Sequence, residues 1–199
     1  MKKKQLIISV GREFGSGGHA IAEILSKKFN IPLYDSNILH EIADIKNVDV
    51  QTYTKYDEVP KNKIFSKTRL GGYSSSPEEN IANLQFNYLR AKAEKGESFV
   101  VVGRCSETIL RGYPGVVSLF ILGDKEEKLK RIMKVYNVSE IEADVMMSKH
   151  DKKRKSYHNY YCPVKWGDSR NYDISLNSSK LGVERSADFL EEYIKERSK

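Results

Sequence analysis

The segment Gly15-Ser16-Gly17-Gly18 sets three glycines in four residues between an apolar run, Leu6 to Val10, and an amphipathic stretch starting at His19. Glycines at a strand-to-helix turn adopt positive φ and allow close approach, so several backbone N–H groups and the positive end of a helix dipole converge on one point. A phosphate suits that point. The common G-x-x-x-x-G-K-[ST] spacing is nevertheless broken, because Gly18 stands where the lysine is expected. Phosphoryl transfer depends on positioning and on neutralising the migrating charge, so a chain without that lysine needs another cation. Arg12, Arg104, Lys152 and Arg154 are the candidates. Arginine grips phosphate oxygens as a planar fork, and one carried on a closing segment can act as an arginine finger. For Lys152 and Arg154 a solvated basic face is the alternative, since both lie in the strongly basic run Lys149 to Lys155. A lysine introduced at Gly18 would show whether a substitute cation is already in place.

Two further residues sit at expected strand ends. Arg104 follows the apolar run Phe99 to Val102 and one glycine, which points it into a crevice, either toward an acceptor phosphate or into a structural salt bridge. Asp35 follows Leu33-Tyr34 and either orients the acceptor or Mg²⁺-bound waters, or caps the next helix. Ser16 offers a hydroxyl within the loop. Cys105 and Cys162 are the only cysteines, and with four scattered histidines they give neither a disulfide framework nor metal-ligand spacing. No metal ligand is therefore assigned, and Cys105 reads as a packing residue.

The elements that must hold these groups follow from periodicity. Apolar runs at 6–10, 32–34, 99–102, 116–122 and 174–176 read as buried strands, and helical spacing appears near 19–29, 38–45, 77–95, 125–136, 139–149 and 183–194. Alternation of strand and helix predicts an α/β fold, a parallel sheet covered on both faces with its ligand crevice at the carboxyl ends of the strands. With 199 residues the chain reads as a single domain. Residues 47–76 lose all period and read as a flap, and about 150–172 as a lid whose aromatic segment, Tyr157 to Tyr172, is irregular. Its rings either stack on bases or form a small core.

The net charge of +7 fits an anionic ligand or a merely solvated basic surface, with only weak, non-specific nucleic-acid binding expected. No apolar run reaches the length of a bilayer span, and the basic N-terminus leads directly into the glycine loop, so a cytoplasmic protein without membrane association is expected.

Four segments, VGREFGSGGHAIAEILSKKFNIPLYD, VVVGRCSETIL, KHDKKRKSYHNYY and KWGDSRNYDISLNSSKLG, resemble the cytidylate kinase-like family, and together they span most of the chain. The resemblance implies a P-loop kinase fold with a five-stranded parallel sheet, a flap that binds the nucleoside monophosphate and a lid. It also implies transfer of the γ-phosphoryl group of ATP, with Mg²⁺, onto CMP or dCMP. By position, Gly15, Ser16, Gly17, Gly18 and His19 would wrap the ATP phosphates, and Asp35 and Arg104 would meet the acceptor. Gly18 and Cys105 depart from the resembled kinases, which keep a loop lysine and a G-R-D strand end. A different small acceptor, or a nucleotide sensor with little transfer, are the alternative expectations.

Overall fold

The computed structural model of the chain describes residues 4–46, 49–54, 57 and 77–198. The five apolar runs form one parallel sheet: β1 (Ile7–Arg12), β2 (Leu33–Tyr34), β3 (Phe99–Val102), β4 (Val116–Leu122) and β5 (Ile174–Asn177), in the spatial order β2-β3-β1-β4-β5. β1 occupies the centre because Ile7, Ile8 and Val10 are apolar on both faces, and only a doubly covered strand accepts that pattern. It runs two residues past the expected end at Val10. Gly11 and Arg12 still pair with Phe120 and Ile121 of β4, so Arg12 is a strand residue with a fixed backbone.

On one face, α1 (Gly18–Phe29) and α8 (Gly182–Arg197) bury Ile21, Leu25, Leu190 and Ile194 against Ile8, Val10, Val102 and Ile121. On the other, Ile38 of α2 (Ile38–Lys46) and Leu89 of α4 (Pro77–Glu94) pack on Ile7, Phe99 and Val101. Between α2 and α4 lies the single turn α3 (Gln51–Thr54), and after β3 the equally short α5 (Ser106–Ile109). A third cluster joins Phe14 to Leu129 and Ile132 of α6 (Lys125–Tyr136) and to Ala143 and Met147 of α7 (Glu140–Tyr161). This cluster fastens the glycine loop to the α6–α7 pair. At the start of α7, Ser139 and Glu142 form the reciprocal capping box that their spacing predicts.

The lid differs from expectation. α7 continues unbroken through the basic run to Tyr161, and the irregular segment begins only at Cys162, with a 3₁₀ turn at Ser169–Asn171. Tyr157 and Tyr161, four residues apart, share one face of α7 and enter a cluster with Ala82, Phe86 and Cys105. The intervening charged residues hide that short helical period in the sequence. These two rings are thus core, with Tyr161 edge-on to Phe86 at 5.5 Å between centroids. The expected flap at 47–76 falls outside the described residues except for 49–54 and 57. Among the described residues no helix is long and apolar enough to cross a membrane.

Leu190 is completely buried where α8 meets the sheet. Leu190→Ala is expected to lower the unfolding free energy by about 2–5 kcal/mol, measured by urea denaturation, through lost burial plus an unfilled cavity.

Candidate active site

The glycine loop is built against Arg12. Gly15 and Gly17 have φ of +79° and +78°, and Gly17 caps α1 without a side-chain bond, so apart from Gly18 N, which meets Ser16 Oγ, the N–H groups of the first turn have no intrahelical acceptor and face the loop's mouth. A methyl group on Gly18 would lie 2.5 Å from Arg12 Cβ and 3.3 Å from Ile121 Cβ. The Arg12 side chain therefore starts directly over Gly18, in the space that a lysine there would need.

Surrounding side chains pin the loop. Ser16 is fully buried, and its hydroxyl donates to Glu13 O (2.9 Å) and accepts from Gly18 N (3.4 Å), so it belongs to the loop's own scaffold. Ser178 Oγ donates to Ser16 O at 2.5 Å. Glu13 Oε2 accepts from Lys128 Nζ (2.8 Å) and Gly123 N (3.2 Å), Arg131 Nη1 donates to Gly15 O (2.7 Å), and Asp151 Oδ1 accepts from Phe14 N (2.7 Å). β4, α6, α7 and the segment after β5 all hold the loop's backbone.

Two cavities flank this loop. One of about 390 Å³ is lined by the loop glycines, Phe14, Arg131, Tyr136 and Arg154, and another of about 300 Å³ by Asp35, Ser36, Asp57, Arg104 and Lys153. Arg12 and His19 line both. The guanidinium of Arg154 stands 5.5 Å from the centroid of Phe14, whose other contacts include a parallel stack with His150 at 4.2 Å.

At the second cavity, His19 Nε2 and Asp35 Oδ2 are 2.7 Å apart. The hydrogen bond holds the Asp35 carboxyl down at about 2 and raises His19 above the usual imidazole range. Asp35 also accepts from Asn37 N at 3.0 Å, a local turn just ahead of α2 rather than a bond to the helix's first turn. Arg104 is buried, and its fork grips Asp57 through Nη1 (2.6 Å) and Nη2 (2.9 Å). The salt-bridge reading of Arg104 is thereby realised, with an anion that faces the cavity. Arg104 and Cys105 have φ of +59° and +54°, consecutive left-handed non-glycine residues that only well-packed surroundings sustain.

The structure thus brings Arg12, His19, Asp35, Arg104, Arg154 and the loop glycines to one cleft. Lys152 is exposed and lines neither cavity; its neighbour Lys153 does, donating to Asp57 O at 3.2 Å. Sequence reasoning missed Arg131, Lys153 and Asp57. The first two are single charges in helices rich in charge, and Asp57 lies in a segment with no period, so nothing local marked them.

Among solved structures, an uncharacterised protein from Eubacterium ventriosum is 43% identical, with 96% of this chain and 99% of that one covered and a TM-score of 0.76. A shikimate kinase from Bacteroides thetaiotaomicron is 14% identical (coverage 96% and 98%, TM-score 0.57), and a sugar kinase from Janibacter sp. is 15% identical (98% and 96%, TM-score 0.55). These two share the fold. No curated protein matches the sequence. The profile of the cytidylate kinase-like family matches residues 7–180, and on that span the chain belongs to the cytidylate kinase-like family.

Proposed function

We propose that the protein transfers the γ-phosphoryl group of ATP to a nucleoside monophosphate, with CMP or dCMP as the acceptor. The observation that carries this reading is the position of Arg12 and His19 on the shared wall of the two cavities. A donor triphosphate lying along the N-terminus of α1 and an acceptor beside Arg104 would meet there. Membership of a kinase-like family supports phosphoryl transfer in general, and CMP is the acceptor that the family resemblance favours.

Each step falls to residues of this chain. The first-turn N–H groups of α1 and the loop backbone bind the β- and γ-phosphates. Arg12, crossing Gly18, supplies the positive charge that the loop lysine supplies in other phosphate loops, and Arg154 approaches the same cavity from the lid helix. Arg104 receives the acceptor phosphate in the fork that Asp57 now occupies. His19 carries charge to the point of transfer while protonated.

Mg²⁺, bound with ATP, would shield the triphosphate charge during transfer. The residues fit an ion held mainly by phosphates and water: Ser16 is committed to the loop, and Asp35, kept ionised, is the cleft carboxylate able to take its waters. A second reading, an acceptor that carries a carboxylate, draws on the carboxylate already in the Arg104 fork.

A coupled assay with ATP, Mg²⁺, each nucleoside monophosphate and a panel of carboxylate-bearing alcohols tests the proposal. Turnover fastest with CMP or dCMP is expected; turnover only with the carboxylates favours the second reading, and none with any acceptor leaves a nucleotide-binding protein. Arg12→Ala should lower kcat by about 10²–10³-fold, with partial recovery in Arg12→Lys. Gly18→Lys should lower activity too, because its Cβ displaces Arg12. His19 has a raised pKa, so its charge and its pairing with Asp35 are complete below the ordinary imidazole value and lost as pH rises through the raised one. In a pH profile, kcat/KM should fall along that limb, and His19→Gln should remove the limb.

A further inference from the structure

The chain's two cysteines, 105 and 162, meet in the fold. Both are buried and reduced, and the thiol of Cys162 is hydrogen-bonded to that of Cys105. Glu107 and His158, 4% and 5% exposed, lie beside them with Glu107 Oε1 2.7 Å from His158 Nε2. Donor atoms of Glu107, His158 and Cys162 all fall within 4.8 Å of one another. The mechanism above uses none of these four side chains, although removing such groups from water is costly.

We propose that Cys105, Glu107, His158 and Cys162 bind a single Zn²⁺ ion, which ties the Arg104 turn to the end of α7. The donors come as two short-spaced pairs. Cys105-x-Glu107 lies on the turn after β3, and His158-x₃-Cys162 lies one helical turn apart at the end of α7, where Cys162 N still bonds His158 O at 2.8 Å. The mixture of thiolate, imidazole and carboxylate selects a borderline-soft ion that prefers four ligands, and argues against the hard Mg²⁺ of nucleotide chemistry.

Size and charge agree. A cavity of about 20 Å³, room for one water-sized occupant, is lined by Cys105, Glu107 and His158, with Cys162 behind its wall. Zinc bond lengths of about 2.0–2.3 Å in a tetrahedron place donors about 3.3–3.8 Å apart, so the edges among Glu107, His158 and Cys162, now within 4.8 Å, contract by up to about 1 Å on binding, and Cys105, which lies outside that spacing, moves in as the fourth ligand. Arg12, Arg104 and Arg154 line the same cavity. Two thiolates and one carboxylate around a divalent ion leave one net negative charge, which suits that basic wall. Binding releases to solvent the two thiol protons and the proton shared by His158 and Glu107, to the extent each is held beforehand. Since Arg154 lies one turn before His158 on α7, the ion would also fix the approach of Arg154 to the glycine loop, whichever acceptor is used.

The test uses the full chain, reduced, stripped with a chelator and dialysed. Calorimetric titration with Zn²⁺ should give one site per chain of micromolar or tighter Kd. Co²⁺ in its place should give the intense visible bands of a tetrahedral ion together with thiolate-to-cobalt charge transfer. A hundredfold excess of Zn²⁺ over Kd should raise Tm by about 5–10 °C. Cys105→Ser and Cys162→Ser should each weaken binding by more than about 100-fold, beyond the usual effect of losing an outer-shell partner. Should either variant fail to fold, the wild-type chain still decides: both thiols should react with a disulfide reagent in the stripped protein and be protected by Zn²⁺. Cobalt spectra without thiolate transitions, zinc binding that leaves both thiols reactive, no binding at all, or a Cys105–Cys162 disulfide in the protein isolated without reductant would each overturn the assignment.

Discussion

The contact of Arg12 with Gly18 governs the cleft. Because β1 continues in register with β4 through Arg12, the backbone of that arginine is fixed by the central strand, and its side chain leaves from the sheet. The space it enters exists only because position 18 has no Cβ. A conventional phosphate loop puts its cation on the first turn of the helix; here an arginine leaves the last residue of the strand, and the helix has no side chain at the position it passes. The departure from the usual spacing at Gly18 is thus half of a paired arrangement, whose other half, Arg12, lies six residues earlier at the end of β1.

That arrangement explains why the loop is held so heavily from outside. The loop is bonded in advance to Lys128, Arg131, Asp151 and Ser178, drawn from three separate parts of the sequence. The interactions draw on α6, α7 and the segment after β5. They hold the start of α1 in place against the Arg12 side chain that leaves the sheet over Gly18.

The five strands were legible because each is a short, continuous apolar run, and their convergence on one crevice followed from strand–helix alternation. The loop glycines, Arg12, Asp35 and Arg104 were legible for the same reason: each sits at a strand end, where a parallel sheet opens. Side chains recruited from helices were not. Arg131 and Lys153 do not differ from their charged neighbours until tertiary packing turns one face inward, and Lys152 and Lys153, adjacent in sequence, point about 100° apart on a helix. The aromatic end of α7 misled for a related reason, since Tyr157 and Tyr161 carry the period while Tyr160 and the basic residues obscure it. Cys105, Glu107, His158 and Cys162 had a spacing visible only once the turn after β3 and the end of α7 were seen side by side.

The Asp57–Arg104 fork has one more implication. On the proposed role of Arg104, an anion from the chain itself already fills the acceptor's subsite, so occupancy would be a competition within one molecule, and measured affinity would be the intrinsic affinity scaled by the fraction of chains in which Asp57 has withdrawn. Such an arrangement sorts ligands by charge. A doubly charged phosphate displaces a single carboxylate more readily than a monoanion does, and a neutral molecule gains nothing by entering. With Asp57 as an internal rival, the guanidinium stays neutralised while the cleft is empty, and its charge becomes available only to a ligand that brings more.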